Sequence, residues 1–439
     1  MLSQLLFLLL LSTGIFFFAR RIGVIRRNIK SGRDWDGSDR KSERWATMAR
    51  VALGQGKMTT RPVAGFMHIL IYAGFVIINI EILEILIDGL FGTHRVFAFL
   101  GPLYNFLIAS FEWLAAGVIL ACVVFFIRRN GMAIARLASK DLSGWPSLDA
   151  NIILVVEVLL MFAFLSMNAA DAIAQSRGLE HYVMAGSFPV SSWLMPLYSG
   201  LSDAGIIAVE RGMWWFHIAG VLAFLVYVPY SKHFHIILAF PNTYFSNLNP
   251  KGQMDNMAAV KKEVDLMMDP TADPFAAAPP SDEPPARFGV KDAPDLTWKQ
   301  LLEAYTCTEC GRCTSECPAN QTGKLLSPRK IMMSTRDRIE EIGQQREANG
   351  GTWQPDGKSL LGDWITEEEL WACTSCQACV EACPINISPM GIILDMRRSL
   401  IMEDSKSPES ITSMFNNIEN NGAPWAFPAG SRGDWTQEV

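Results

Sequence analysis

Two cysteine runs carry the strongest chemistry in the chain. The first is "CTECGRCTSECP", with Cys307, Cys310, Cys313 and Cys317 before Pro318; the second is "CTSCQACVEACP", with Cys373, Cys376, Cys379 and Cys383 before Pro384. Both follow C-x2-C-x2-C-x3-C-P, a spacing that holds [4Fe-4S] cubanes. Three cysteines two residues apart can turn around one corner of a cubane, while the fourth points away to the other cluster. Cluster one is therefore expected on Cys307, Cys310, Cys313 and Cys383, and cluster two on Cys373, Cys376, Cys379 and Cys317. Zinc sites use pairs of ligands instead of four thiolates in one run. A disulfide framework does not concentrate eight cysteines in two tight groups, so metal ligation in a reducing compartment is the better reading. The ninth cysteine, Cys122, stands alone in an apolar run.

The histidines come next. "WWFHIAGVLAFLVYVPYSKHFH", Trp214 to His235, is apolar enough to cross a membrane yet holds three imidazoles. Read as one helix, the eighteen residues from His217 to His235 make about five turns, which puts both on one face about 27 Å apart. His233 is then turned roughly 160° away, an interfacial residue beside Lys232. An ionisable group inside a membrane is a functional hypothesis by default, and imidazole is a common axial ligand of haem iron. His68, in "PVAGFMHILIYAGF", lies at the depth of His235, so His68 and His235 are expected to hold one haem b. Gly65 and Gly74 would admit the macrocycle, and Lys57, Arg61 and Lys232 would meet its propionates. A second haem at His217 would need a partner near Ile77 to Asn79, where no histidine stands. His94 or His181, folding back from outer loops, could supply it. The competing reading makes each histidine a satisfied polar residue between helices.

These residues need elements to hold them. The chain has 439 residues, a net charge of −6 and a hydrophobic half, with a positive mean hydropathy. The apolar residues concentrate before residue 240, in blocks matching the ~20 residues that span a bilayer. Spans are expected at 2–19, 63–90, 103–127, 152–170 and 213–238. No basic residue precedes the first, so it reads as a retained helix and not as a signal peptide. Twelve Lys or Arg lie in 20–62 and four in 128–151, against one in 91–102 and two in 171–212. Positive loops stay inside. The N-terminus is thus expected outside and everything after about 240 in the cytoplasm, in a bacterial or archaeal cytoplasmic membrane. Glu81, Glu84, Glu112, Glu157, Asp171 and Glu210 fall in or beside the spans. They suit either proton movement with quinone chemistry or plain interhelical hydrogen bonding.

Beyond the spans, "DPTADPFAAAPPSDEPPARFG" (269–289) reads as a linker that lets the two halves be set independently. Between the cysteine runs, "SPRKIMMSTRDRIEEIG" and "TEEELWACTSC" have helical spacing with caps at Ser327 and Thr366. The expected fold is all-α: a five-helix membrane bundle (1–240), a linker (241–296), a helical ferredoxin domain (297–398) and a partner-docking tail (399–439). Nothing matches a phosphate-binding loop, a dinucleotide fingerprint or a nucleic-acid module.

The five spans with His68, His217 and His235 resemble the membrane cytochrome b subunits of respiratory nitrate reductase and of membrane heterodisulfide reductase. "WWFHIAG" and "YSKHFHIILAFPN" are similar to the second in particular. The cysteine runs resemble the ferredoxin part of heterodisulfide reductase and glycerol-3-phosphate dehydrogenase iron–sulfur subunits. They also resemble membrane oxidoreductases that link electron transfer flavoprotein to menaquinone. The resemblance covers about residues 1–400. It implies two [4Fe-4S] clusters, haem b, a quinone (menaquinone favoured) as substrate, and a cytoplasmic flavoprotein such as electron transfer flavoprotein as partner. Two-haem relatives offer two histidines on the second span, whereas this chain has only His68. Fused relatives continue into cysteine-rich CCG domains; here such a module is expected as a separate iron–sulfur subunit docked on the tail. The expected role is an electron conduit between a cytoplasmic partner and quinone, with the substrate-oxidising site in another subunit. A haem-free iron–sulfur anchor is the alternative, and a quinone-redox sensor ranks last.

Overall fold

The computed structural model describes residues 1–271 and 287–437. Most of the expected linker segment 269–289 therefore lies outside the described residues. Among those described there is no β-strand, only two isolated bridges.

Five long helices make the first half: α1 (Leu2–Lys30), α2 (Pro62–Phe91), α3 (Pro102–Asn130), α4 (Trp145–Ser176) and α5 (Asp203–Tyr227). All five are long and apolar enough to cross a membrane. Most outrun their apolar blocks because polar turns, such as Arg20 to Lys30, extend the same hydrogen-bond ladder. Proline stands in the first turn of α2, α3 and α4, where its missing N–H costs nothing. Small residues set the packing. A Cβ on Gly220 of α5 would lie 2.6 Å from Leu160 of α4, and one on Gly74 of α2 would lie 2.6 Å from Val118 of α3. The outward faces stay apolar, with Leu5, Leu9, Phe16, Phe106 and Leu120 exposed. That is the surface a bilayer covers, and the chain is a membrane protein.

The fifth span is not one helix. α5 ends at Tyr227, a tight turn spans Val228–Tyr230, and Ser231 is extended. A second tight turn, Lys232–Phe234, leads into α6 (His235–Tyr244). Pro229 cannot donate to the ladder. The Ser231 hydroxyl instead accepts the His233 N–H at 3.1 Å and starts the next element. Asp149 of α4 pins the break, taking hydrogen bonds from the Tyr227 hydroxyl and the Lys232 N–H. The five-turn register from His217 to His235 is thereby overturned, and with it the placement of His233.

The second half is built on α7 (Trp298–Thr306), α8 (Pro328–Ala348) and α9 (Pro389–Met402). The caps stand where the sequence places them. Ser327 accepts from the Lys330 N–H, and Thr366 forms a reciprocal capping box with Glu369. Arg338 of α8, fully buried, bridges Asp292 and Asp356 and closes the helices around it. After α9 comes α10 (Glu409–Asn421), with no buried residue.

The halves are not independently set. One apolar core runs through both, joining Ile25, Ala52, Val228, Phe234 and Leu238 to Leu301, Ile331 and Ile339. Backbone pairing fastens the end of α1 to the start of α7: the Arg33 N–H donates to the Leu296 carbonyl at 2.7 Å, and the Trp298 N–H to the Arg33 carbonyl at 2.9 Å. Gly32 permits this approach, since a Cβ there would lie 2.7 Å from the Leu296 oxygen. A linker of any flexibility does not loosen parts that already share a core.

Candidate iron–sulfur and histidine site

Each cysteine motif is a backbone turn of the same shape. Glu309 and Gly311 of the first have φ of 55° and 71°, and Ser375 and Gln377 of the second have 56° and 61°. These left-handed residues flank the second cysteine of each run and curl the chain around a centre. Backbone N–H groups then reach sulfur: Ser375 to Cys373 Sγ at 3.4 Å, and Ile387 to Cys383 Sγ at 3.3 Å. Hydrogen bonds of this kind tune cluster potentials. Cys307, Cys310, Cys313 and Cys383 line one small cavity, three from the first motif and one from the second. Burial pushes the Cys379 thiol up to about 12, and the neighbouring Cys373, Cys317 and Cys376 push the same way. The structure thus gathers Cys307, Cys310, Cys313 and Cys383 around one space and sets Cys317 close to Cys373, Cys376 and Cys379. Among the described residues, no three His, Cys, Asp or Glu side chains converge tightly enough to hold a single metal ion. Thiols ringing a space, and not a point, suit a cluster. Cys376 alone of the eight is exposed, so the second set reaches the surface while the first is covered.

What covers the first set is the near end of the helix bundle. The Cys310 carbonyl accepts from Arg136. Arg312 donates to the Lys57 carbonyl at 2.9 Å, Arg61 to Ser315 Oγ at 2.8 Å, and Lys57 to Asn386 Oδ1 at 3.1 Å. Arg329, fully buried, joins Asp141 and the Arg136 carbonyl. Glu309, between Cys307 and Cys310, pairs with Lys232 and with Arg336 at 2.8 Å. Burial alone would raise its carboxyl, but Arg336 and then Lys232 hold it below the ordinary range. Lys57, Arg61 and Lys232, expected to meet haem propionates, are thus engaged by the ferredoxin half. Lys232 neutralises a buried carboxylate there, while Lys57 and Arg61 meet the Asn386 amide oxygen and the Ser315 hydroxyl.

Lys232 stands in the same turn as His233 and His235, so the histidine group is one short step from the cluster loop. The His68 and His235 ring centres are 6.3 Å apart, tilted by 42°. A metal–nitrogen bond of about 2 Å plus about 1 Å to each ring centre, doubled, gives about 6 Å for two imidazoles on one iron. The His235 Nδ1–H donates to the Lys232 carbonyl at 3.0 Å, which leaves Nε2 as the free acceptor, the usual state of a metal-ligating histidine. His68 Nδ1 is buried without a partner. The ligand pair fits a haem. The glycines do not serve it: a Cβ on Gly65 would meet the Met58 oxygen at 2.4 Å, and Gly74 faces Val118. Gly65 lets the turn at Met58 fold back onto α2, and Gly74 lets α2 pack closely on α3. His233 is not an outlier, since its ring lies 5.7 Å from that of His235 and its Nε2 is buried and unpartnered.

The remaining histidines stand apart. His217, 1% exposed, uses Nδ1–H on the Leu160 carbonyl at 2.9 Å and packs against Phe164. His94 Nδ1 accepts from the Val183 N–H at 3.4 Å, its Nε2 lies 3.3 Å from Asp171, and its ring is 5.6 Å from that of His181. These contacts hold His94 and His181 together in the far-end loops, beside Asp171 and Tyr182. The acids there are mostly paired: Glu84 with Tyr104, Glu112 with Asn168 and Ser191, Asp171 with Arg95, and Glu210 with Tyr182 and Arg211. Sequence reasoning passed over Glu309, Asp149 and Arg329 and misplaced His233. Glu309 carried a signal, an acid inside a cysteine motif; Asp149 and Arg329 are defined by partners distant in the chain.

Residues 303–387 match the family of 4Fe-4S dicluster domains. The chain is 28% identical over its whole length to a "Probable iron-sulfur-binding oxidoreductase FadF" of Bacillus subtilis, covering 61% of that protein. Over 88% of its length it is 26% identical to an "EtfAB:quinone oxidoreductase" of Syntrophomonas wolfei, covering 53% of it. Over 36% it is 32% identical to a "Probable membrane-anchored ferredoxin" of Chromohalobacter salexigens, covering 25%. The chain thus spans little more than half the length of the first two relatives. No solved structure matches it. The chain is a homologue of iron–sulfur oxidoreductases and of a membrane-anchored ferredoxin, and it contains a 4Fe-4S dicluster domain.

Proposed function

We propose that the chain passes single electrons between a cytoplasmic redox partner and membrane quinone, through two [4Fe-4S] clusters and one haem b. The observation that carries this reading is the turn 232–235, which joins Glu309 in the first cysteine motif to the His68/His235 pair through Lys232. Cys307, Cys310, Cys313 and Cys383 would hold the buried cluster. Cys373, Cys376, Cys379 and Cys317 would hold the one at the surface, where a partner can reach it. His68 and His235 would hold the haem, which supplies a one-electron carrier inside the membrane. His217 then locks α5 to α4, and His94 belongs to the far-end ion pairs. The quinone is menaquinone in this reading, and the partner is a flavoprotein such as electron transfer flavoprotein, reached through a CCG-type iron–sulfur unit. Loop charge supports an external N-terminus and a cytoplasmic ferredoxin half.

The glycine contacts at positions 65 and 74, and the engagement of Lys57, Arg61 and Lys232, favour a second reading: a haem-free iron–sulfur anchor. A pyridine haemochrome assay on the purified protein separates the two. About one haem b per chain, lost in His68→Ala, supports the conduit. No haem, with clusters intact by electron paramagnetic resonance, leaves the anchor.

A further inference from the structure

The end of the bundle opposite the ferredoxin half holds a cavity of about 390 Å³ that no part of the conduit uses. That volume lies in the range of small-molecule sites. Its walls divide sharply. Phe7, Trp214 and Trp215 bring flat apolar surface, while Glu81, His94 and Arg211 bring polar groups. Most of the surrounding acids have partners, as described above. Glu81 makes no hydrogen bond: it is 4% exposed and its Oε2 is buried with no partner, whereas Asp171, whose Oδ1 also lacks a hydrogen bond, has His94 Nε2 at 3.3 Å and Arg95 on its other oxygen. A buried carboxyl with an open oxygen is costly unless something else completes it. One wall comes from α1, the helix with the smallest buried share of the five, so a single helix with an outward apolar face stands between the cavity and lipid.

A ligand that suits this cavity is flat and apolar, carries oxygen that can accept a hydrogen bond, and arrives from the lipid. We propose that the cavity binds the quinone head group, and that Glu81 hydrogen-bonds it and hands it a proton. This rests on the conduit reading and locates its substrate. Glu81 stands thirteen residues from His68 on α2, about 20 Å along the axis. Two electrons arrive singly from the reduced clusters. One quinone carbonyl oxygen gains its proton from the Glu81 carboxyl and the other from water at the far end, and the two C=O groups become C–OH. After its transfer Glu81 is reprotonated from water entering at the far end. Electrons therefore cross the bundle, and protons are drawn from the side opposite the ferredoxin half.

The test is binding of 2-heptyl-4-hydroxyquinoline N-oxide, a fluorescent quinone analogue, to the full-length protein in detergent, read by quenching. Wild type is compared with Glu81→Gln and Trp215→Leu, with cluster signals and elution volume as checks of folding. The expected result is about tenfold weaker binding in each variant, the size of one lost hydrogen bond or packed ring. Equal binding by wild type and both variants would place the quinone elsewhere and overturn the inference while leaving the conduit. No binding by wild type would overturn the quinone reading itself. Displacement of the analogue by phosphatidylethanolamine in mixed micelles, with none by menadione, would make the cavity a lipid head-group site and also overturn the inference. Should one variant fail the folding checks, the other decides between these outcomes.

Discussion

Glu309 is the residue whose loss tests the coupling of the two halves most directly. Its side chain is 3% exposed, and it neutralises Lys232 and Arg336, which are 10% and 19% exposed. Glu309→Gln keeps the shape and removes the charge. Breaking a buried pair by removing one partner costs about 3–5 kcal/mol, because the surviving charge stays desolvated. The amide oxygen still accepts one hydrogen bond, which returns about 1 kcal/mol. Arg336 also keeps exposed Asp337, and Lys232 keeps the Pro146 carbonyl at 2.6 Å. The expected net loss is about 2–4 kcal/mol, which lowers the unfolding midpoint of the ferredoxin half by roughly 10 °C. Cluster absorbance bleaching during a thermal ramp in detergent reads this. Lys232→Met in the same background should recover part of the loss, since it removes the stranded cation. A midpoint shift under about 3 °C, or strictly additive effects in the double variant, would refute the claim that a buried charge network fastens the halves.

Further outcomes follow from the same geometry. Cys383→Ser should abolish the signal of the cluster held by the first motif, although the residue belongs to the second, and Cys317→Ser should do the reverse; each should leave about half the iron. Loss of the same-motif cluster in either variant would refute crossed ligation. Gly311→Ala should destabilise by more than about 1 kcal/mol, because φ is 71° and a Cβ would lie 2.5 Å from Arg329 Nη1; denaturant unfolding reads it. The folded Glu309 carboxyl sits below its ordinary value of 4.5. Its contribution is therefore complete above that value and lost as pH falls through the lower folded one. Acid should weaken the ferredoxin half below about pH 4.5 in wild type and less so in Glu309→Gln, as read by the midpoint against pH.

Local chemistry determined a large part of this protein from sequence alone. Cysteine spacing specified the cluster motifs because ligands two and three residues apart are constrained by the backbone itself. Apolar block length specified five long helices, and Ser327 and Thr366 announced their helices because a cap acts on an N–H only three residues away. The read of Trp214 to His235 as one helix failed for a reason partly visible in the sequence. Pro229 allowed a break, but Asp149, some eighty residues earlier, pins it. Only the tertiary structure decided that His233 lies beside His235, that Lys57, Arg61 and Lys232 face the cysteine loops, and that Gly65 admits the turn at Met58 while Gly74 serves helix contact. It alone also shows that Glu81 lacks the partner its neighbouring acids have. Burial and pairing depend on which surfaces meet. Residues far apart in the chain meet only once the core joining α1, α5 and α6 to α7 and α8 has formed.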